Sequence, residues 1–426
     1  MYIHVVKPGE SIYSIARQYG VSWQKIVSDN ELQNPDQLVA GQTIVILEGS
    51  RQHVVQRGES LYLIAMEYQV RVSDILRANP QITNPSNLSV GQTITIPPRT
   101  IKFGPIQVNG YAFPNINRET LRKTLPYLTY LSIFSYQVNA DGSLDDIDDT
   151  ELIQAARSAR VAPLMIITNI GEDGGFDSDL VSTILNNETL QDTLLNNVIR
   201  IMQQKNYYGL GIDFEYIYPR DREQYNNFLR KVVSRLRPLG FTVTTALAPK
   251  TSATQQGQLY EAHDYPVHGA LADHVILMTY EWGYTYSPPM AVAPINEIRK
   301  VLNYAVTAIP REKIFMGIPN YGYNWTLPFQ QGTAAQTISN VGAVNLAWRE
   351  GAAIQYDPIA QAPFFRYYDE NGTQHEVWFE DARSILAKLT LANEFRIGGV
   401  SYWTIMQYFP QNWLVLSSVY DIVKVL

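Results

Sequence analysis

The sequence predicts an α/β fold: a closed (β/α)8 barrel with a small α+β insertion, preceded by two small βααβ modules. Three observations predict it. The N-terminal stretch repeats one pattern twice. From about Ile106 onward, short apolar runs alternate with helical spacing, as a parallel sheet requires. Eight such runs fit into roughly 320 residues, the size of one barrel.

The repeat comes first. His4-Val5-Val6-Lys7-Pro8-Gly9-Glu10-Ser11-Ile12 is matched by His53-Val54-Val55-Gln56-Arg57-Gly58-Glu59-Ser60-Leu61. The copies continue through Asn34-Pro35 and Asn84-Pro85 and close on Gly41-Gln42-Thr43-Ile44 and Gly91-Gln92-Thr93-Ile94. Each reads strand, turn, helix, helix, strand, with a glycine turn and Glu10-Ser11 or Glu59-Ser60 capping a short helix. Over residues 1–48 and 52–98 the copies resemble LysM modules. That resemblance implies binding of N-acetylglucosamine-containing glycans by Gly9, Ser11, Ile12, Asn34 and Pro35, and by Gly58, Ser60, Leu61, Asn84 and Pro85. Glu48 to Gln52 and Pro97 to Thr100 read as linkers. Each domain carries its own apolar pattern, so removal of residues 1–98 is expected to leave a folded barrel.

The barrel is expected over residues 104–426. Its strands are placed at Gln107 to Ala112, Tyr130 to Tyr136, Leu164 to Asn169, Gly209 to Tyr216, Thr242 to Ala248, His274 to Tyr280, Ile314 to Pro319 and Gly398 to Thr404. Helical spacing separates them, as in Arg220 to Leu236 and Pro294 to Ala308. The long gap before the last strand, about residues 324–380, holds the α+β insertion, with Ala352 to Phe379 walling a cleft.

Tyr208-Gly209-Leu210-Gly211-Ile212-Asp213-Phe214-Glu215-Tyr216 is the most informative segment. A strand alternates its side chains, so Asp213 and Glu215 share a face at a spacing of about 6.5–7 Å. Two acids that close separate their pKa values, giving one proton donor and one anion at neutral pH. Here the chain resembles glycoside hydrolase family 18, the chitinase-like enzymes, whose fourth strand ends Asp-Gly-x-Asp-x-Asp-x-Glu. Tyr208 and Gly211 stand where that family's first two aspartates stand, and Gly211 is expected to leave space for water or Tyr208.

The other strand ends extend the resemblance. Met278-Thr279-Tyr280-Glu281 is similar to the family's Met-x-Tyr-Asp, Gly317 to Gly322 to its cleft-lining Gly-Ile-Pro-x-Tyr-Gly, and Ser401-Tyr402-Trp403 to its sugar-bearing tryptophan. Gly110-Tyr111 and Val377 to Asp381 also match. The resemblance implies Glu215, Asp213 and Tyr280 as catalytic residues, with Tyr111, Glu281, Tyr321, Trp325 and Trp403 contacting substrate. It implies substrate-assisted, retaining hydrolysis of a β-1,4 bond after N-acetylglucosamine, with no metal or organic cofactor. His263, His268 and His274 near Asp264 and Asp273 form no ligand-spaced cluster and read as satisfied loop histidines. Ile170 to Gly175 lacks the ending of a phosphate loop and reads as a cleft-lining turn.

Composition bounds the partners. The chain has 426 residues, 46% hydrophobic and 12% aromatic, with 28 tyrosines and seven tryptophans that suit sugar stacking as well as core packing. A net charge of −7 without a long basic run argues against nucleic acid and anionic membranes as partners. Cysteine is absent, so there is no disulfide or thiolate chemistry. No apolar run reaches the ~18 residues of a membrane span, and the first residues lack the basic and apolar regions of a signal peptide. LysM modules, an unsigned N-terminus and a cysteine-free barrel together resemble the spore cortex-lytic N-acetylglucosaminidases of endospore-forming bacteria. That implies a cortex or coat location and a peptidoglycan substrate. A chitinase and a non-catalytic glycan-binding scaffold are the alternatives, and oligomeric state is left open.

Overall fold

The computed structural model describes residues 1–47, 49–68, 70–98, 102–171 and 173–426. Glu48, Arg99 and Thr100 of the expected linkers, and Glu172 of the turn after the third barrel strand, lie outside the described residues.

Both repeats fold as the pattern requires. Tyr2–Val5 pairs antiparallel with Thr43–Ile46 beneath the helices Ile12–Tyr19 and Trp23–Asn30. Arg51–Val54 pairs likewise with Thr93–Ile96 beneath Leu61–Glu67 and Val72–Ala78. Ser11 and Ser60 cap the first helix of each copy by accepting the N–H groups of Ser14 and Leu63. A carboxylate pins each turn: Glu10 accepts from Lys7 N–H at 2.8 Å and meets His4 Nε2 at 2.8 Å, and Glu59 does the same with Gln56 and His53.

Eight parallel strands close into a barrel: Gly104–Ala112, Tyr130–Gln137, Ala162–Thr168, Gly209–Asp213, Thr242–Leu247, His274–Leu277, Ile314–Pro319 and Gly399–Trp403. Closure comes from the eighth strand pairing with the first, Gly399 opposite Gln107. Because both faces of the sheet are covered, the strands are nearly continuous in apolar residues. Leu131, Ile167, Leu210 and Ile212 face outward onto helices that include Glu188–Lys205 and Arg222–Leu236, while Tyr130, Leu164, Ile166, Ile276 and Phe315 fill the interior. The insertion is a five-stranded antiparallel sheet that begins at Gly322 and runs through Trp378, with the helix Asn340–Arg349.

Two strand ends differ from the alternation pattern. The fourth strand stops at Asp213 and the sixth at Leu277, so Glu215 and Tyr280 lie beyond the sheet. The cause at the fourth strand is a side chain. Asn169 takes both backbone groups of Glu215, accepting its N–H and donating to its carbonyl at 2.9 Å each, where a neighbouring strand would otherwise bond. Tyr216 then turns into the left-handed region at φ 54° and faces solvent.

The first module is not an independent body, contrary to the expectation from its linker. Thr43 donates its hydroxyl to Gln411 at 2.8 Å, and Gln411 returns a bond to the Thr43 carbonyl at 2.6 Å. Ile354 N–H bonds Ala40 O at 2.8 Å, and Lys123 pairs with Glu31. Val45 joins the barrel's outer core and Val39 the core of the insertion, so removing residues 1–98 would uncover apolar surface on both. Gly41 and Gly91 are equivalent turns at φ 87° and 84°, but a Cβ at Gly41 would lie 1.8 Å from Ile354 O whereas one at Gly91 meets nothing. Both alanine variants bear a left-handed penalty of about 1–2 kcal/mol. Only Gly41→Ala should release the module, read as faster hydrogen exchange at Thr43 to Ile46. Equal protection in the two variants would show that this contact does not hold it.

Candidate active site

The carboxyl ends of the barrel strands gather the predicted acids. Asp213 closes the fourth strand with 5% of its surface exposed, and its Oδ1 has no hydrogen-bond partner among the described residues. Burial without a partner pushes its carboxyl up to about 7. Glu215, half-buried beside it, is raised well above the ordinary range, first by burial and then by the charges of Asp213 and Glu281. Both acids therefore resist ionisation, and Glu215 resists more.

The space beside Gly211 is taken by Ile166 and not by Tyr208. A Cβ on Gly211 would sit 2.3 Å from Ile166 Cδ1, so an isoleucine occupies the volume of the family's middle aspartate. Tyr208 packs within the barrel, its ring 6.2 Å from Tyr130. This apolar floor is what leaves Asp213 unpartnered. Gly211→Asp should therefore destabilise the barrel by overpacking, at a cost of about 1–3 kcal/mol, and adding Ile166→Ala should recover part of the loss. A melting temperature unchanged by Gly211→Asp alone would refute the account of this floor.

Around the acids stands a phenolic and indole wall. Burial raises the Tyr280 hydroxyl far above its usual range, and Tyr111, Asp213, Glu215 and Glu281 add to the shift; Tyr111 is raised by burial and by the same two acids, Asp213 and Glu215. These mutual effects mean that Tyr111, Tyr280, Asp213, Glu215 and Glu281 lie near enough for the acids' charges to be felt by their neighbours. Glu281, left-handed at φ 65°, accepts from the hydroxyl of Tyr321 and from that of Tyr323 at 3.1 Å. A non-glycine residue in that region is strained and survives where its surroundings fix it. Trp403 ends the eighth strand, held edge-on by Tyr111 at 5.3 Å and Phe134 at 4.9 Å, with part of its ring open. Asn320 braces the segment that follows, donating to Thr404 O at 3.0 Å and Gln407 O at 2.7 Å.

Trp325 does not join the wall. Only 1% exposed, it donates its indole N–H to Ser287 O at 2.8 Å and packs behind Tyr323, where it fixes the loop after the sixth strand. Ile12 and Leu61 likewise turn inward, their side chains buried in the module cores. Gly9, Ser11, Asn34, Gly58, Ser60, Asn84 and Pro85 are exposed and Pro35 partly so, although Ser11 and Ser60 already serve as caps. Of the histidines only His263 lies in a loop; His268 is on the helix Tyr265–Leu271 and His274 opens the sixth strand. His263 links two strand ends, accepting from Ala248 N–H at 2.8 Å and facing Phe214 O at 3.0 Å, and burial lowers it to about 4. Among the described residues no group of three His, Asp or Glu side chains is placed to hold a metal ion.

Sequence reading gave no role to Asn169, Asn320 or Phe134. Asn169 and Asn320 lie at the carboxyl ends of their strands, which was the available signal; Phe134 is recognisable only once Trp403 is in place.

Comparison with known proteins follows the same lines. The sequence profile described as Glycosyl hydrolases family 18 matches residues 107–407, and the LysM domain profile matches 4–47 and 53–97. The cortical fragment-lytic enzyme of Bacillus subtilis (strain 168) is 45% identical over 100% of this chain and 99% of its own. The solved spore cortex-lytic enzyme SleL of Bacillus megaterium QM B1551 superposes with a TM-score of 0.87 at 42% identity, covering 100% of this chain and 99% of that one. A chitinase of Chromobacterium violaceum shares the fold alone, at 23% identity and a TM-score of 0.69 over 74% of this chain and 98% of that one.

Proposed function

The chain belongs to glycoside hydrolase family 18 and carries two LysM modules, and from that premise we propose that it hydrolyses β-1,4 bonds after N-acetylglucosamine in peptidoglycan, acting on fragments of spore cortex. The observation that carries this reading is the unequal acid pair, Asp213 and Glu215, whose charges reach the hydroxyls of Tyr280 and of Tyr111, the ring that stands edge-on to Trp403. Glu215 holds a proton at neutral pH and gives it to the glycosidic oxygen as that bond breaks. The substrate's acetamido oxygen closes on the anomeric carbon, forming a cyclic oxazolinium ion. Asp213, as the more acidic member, is the anion that orients the amide and offsets its positive charge. Tyr280 bonds the carbonyl oxygen, while Trp403 supports the sugar ring, aided by Tyr111, Glu281 and Tyr321. Water, deprotonated by Glu215, opens the ion with net retention.

The LysM residues Gly9, Asn34, Pro35, Gly58, Asn84 and Pro85 anchor the glycan, and the site of action is the spore. Mass spectrometry of products from purified cortex fragments tests the reading. New reducing ends should be N-acetylglucosamine with β configuration. Muramic acid at the reducing ends would overturn it. Release from chitin with none from cortex would decide for a chitinase, and no release from either for a binding scaffold.

A further inference from the structure

The first module and the insertion enclose a second concavity, which shares only Asn34 with the residues assigned above to glycan anchoring. A cleft of about 330 Å³ opens between the loop after the helix Trp23–Asn30 and the helix Asn340–Arg349, floored by Phe409 to Gln411. One wall presents Asn34 and Gln37, the other Asn345 and Trp348. The side-chain amides of Asn34, Gln37 and Asn345 make no hydrogen bond to any described residue, and Trp348 leaves 46% of its surface in water without a ring partner. The charged side chains at the cleft are already paired: Glu31 with Lys123, Arg349 with Glu350, Glu380 with Lys388 and Asp381 with Arg383. The cleft therefore offers an apolar face and uncharged donors and acceptors, which select a neutral, hydroxyl-rich ring over an ion. A pyranose stacks its C–H face on an indole, and an acetamido group exchanges bonds with carboxamides.

We propose that this cleft is a second glycan site, built jointly by the first module and the insertion, that takes N-acetylhexosamine units of a chain whose other part lies in the catalytic cleft. The proposal rests on the reading of the substrate as an N-acetylglucosamine glycan. The Thr43–Gln411 and Ala40–Ile354 bonds hold its two walls in one geometry, so the bound chain is presented in fixed register, unlike one held by a module on a tether. The second module shows no such wall among the described residues, since a Cβ at its Gly91 turn would meet none of their atoms within 4 Å.

The test uses the full chain. With Glu215→Gln as a background that does not turn over, calorimetric titration with the β-1,4-linked tetrasaccharide of N-acetylglucosamine should show one site fewer after Trp348→Ala, or that site weakened at least about tenfold. In the active enzyme Trp348→Ala and Asn345→Ala should raise the half-saturating amount of insoluble cortex glycan several-fold and leave turnover of short soluble fragments within about twofold. Circular dichroism checks the fold, which an exposed ring does not hold together. An unchanged isotherm, or equal loss on long and short substrates, overturns the proposal. A wild-type enzyme inactive on both substrates would instead reject the proposed function, and the titration would still decide about the cleft.

Discussion

Glu215→Gln should lower turnover of cortex fragments by about 10²–10⁴-fold, the usual worth of general acid catalysis, while glycan binding and fold persist. Glutamine keeps the shape of the side chain and, with it, the backbone clamp from Asn169, because that clamp holds only main-chain atoms. What disappears is the transferable proton. The same variant should be more stable than the parent at alkaline pH. The carboxyl is raised in the folded state, so the native protein binds a proton that the unfolded chain has released. Stability is then full below the unfolded carboxylate range and falls as pH rises toward and through the native value; an amide has no such loss. Activity within a few-fold of wild type would remove Glu215 from the role of acid. A variant that melts lower at high pH would show that the carboxylate is solvated after all.

The barrel was legible because it follows from patterns that repeat: all eight strands lie within a few residues of their expected places, and both modules form as their internal copy requires. The strand ends were less legible, because they answer to single side chains. Alternation alone put Glu215 on the strand, whereas Asn169 captures its backbone and ends the ladder two residues sooner. Trp325 closely follows a cleft-lining segment in sequence and was expected to contact substrate, yet it packs in the core of the insertion sheet. The docking of the first module was invisible, since the Thr43–Gln411 pair joins residues 368 positions apart and its twin, Thr93, has the same local sequence. Gly211 signalled a missing aspartate, but what fills the gap, Ile166, sits on the neighbouring strand.

That missing aspartate sets the pH dependence. In the complete family motif the middle aspartate can share a proton with the counterpart of Asp213, coupling the pair to a third carboxylate. Here an apolar side chain takes its place, and burial alone pushes the Asp213 carboxyl up to about 7. Catalysis needs Asp213 ionised and Glu215 protonated, so kcat/KM should climb through about pH 7 with the slope of one proton and fall only at higher pH, where Glu215 ionises. Asp213→Asn should erase the acid limb and cut the rate by about 10²–10³-fold, the cost of losing one preorganised electrostatic contact to the cyclic ion. It should also move the alkaline limb to lower pH, since one of the charges that holds the proton on Glu215 is gone; burial and Glu281 still keep it above the ordinary range. Stability responds in the same sense: ionising Asp213 between about 4 and 7 costs the native state at most roughly 4 kcal/mol that the amide does not lose, so the variant should melt higher above pH 7. An acid limb that persists in Asp213→Asn, or a two-proton slope in the wild type, would show that another carboxylate has taken the missing aspartate's role, and Glu281, held by Tyr321 and Tyr323 and acting on Glu215, is the first to test.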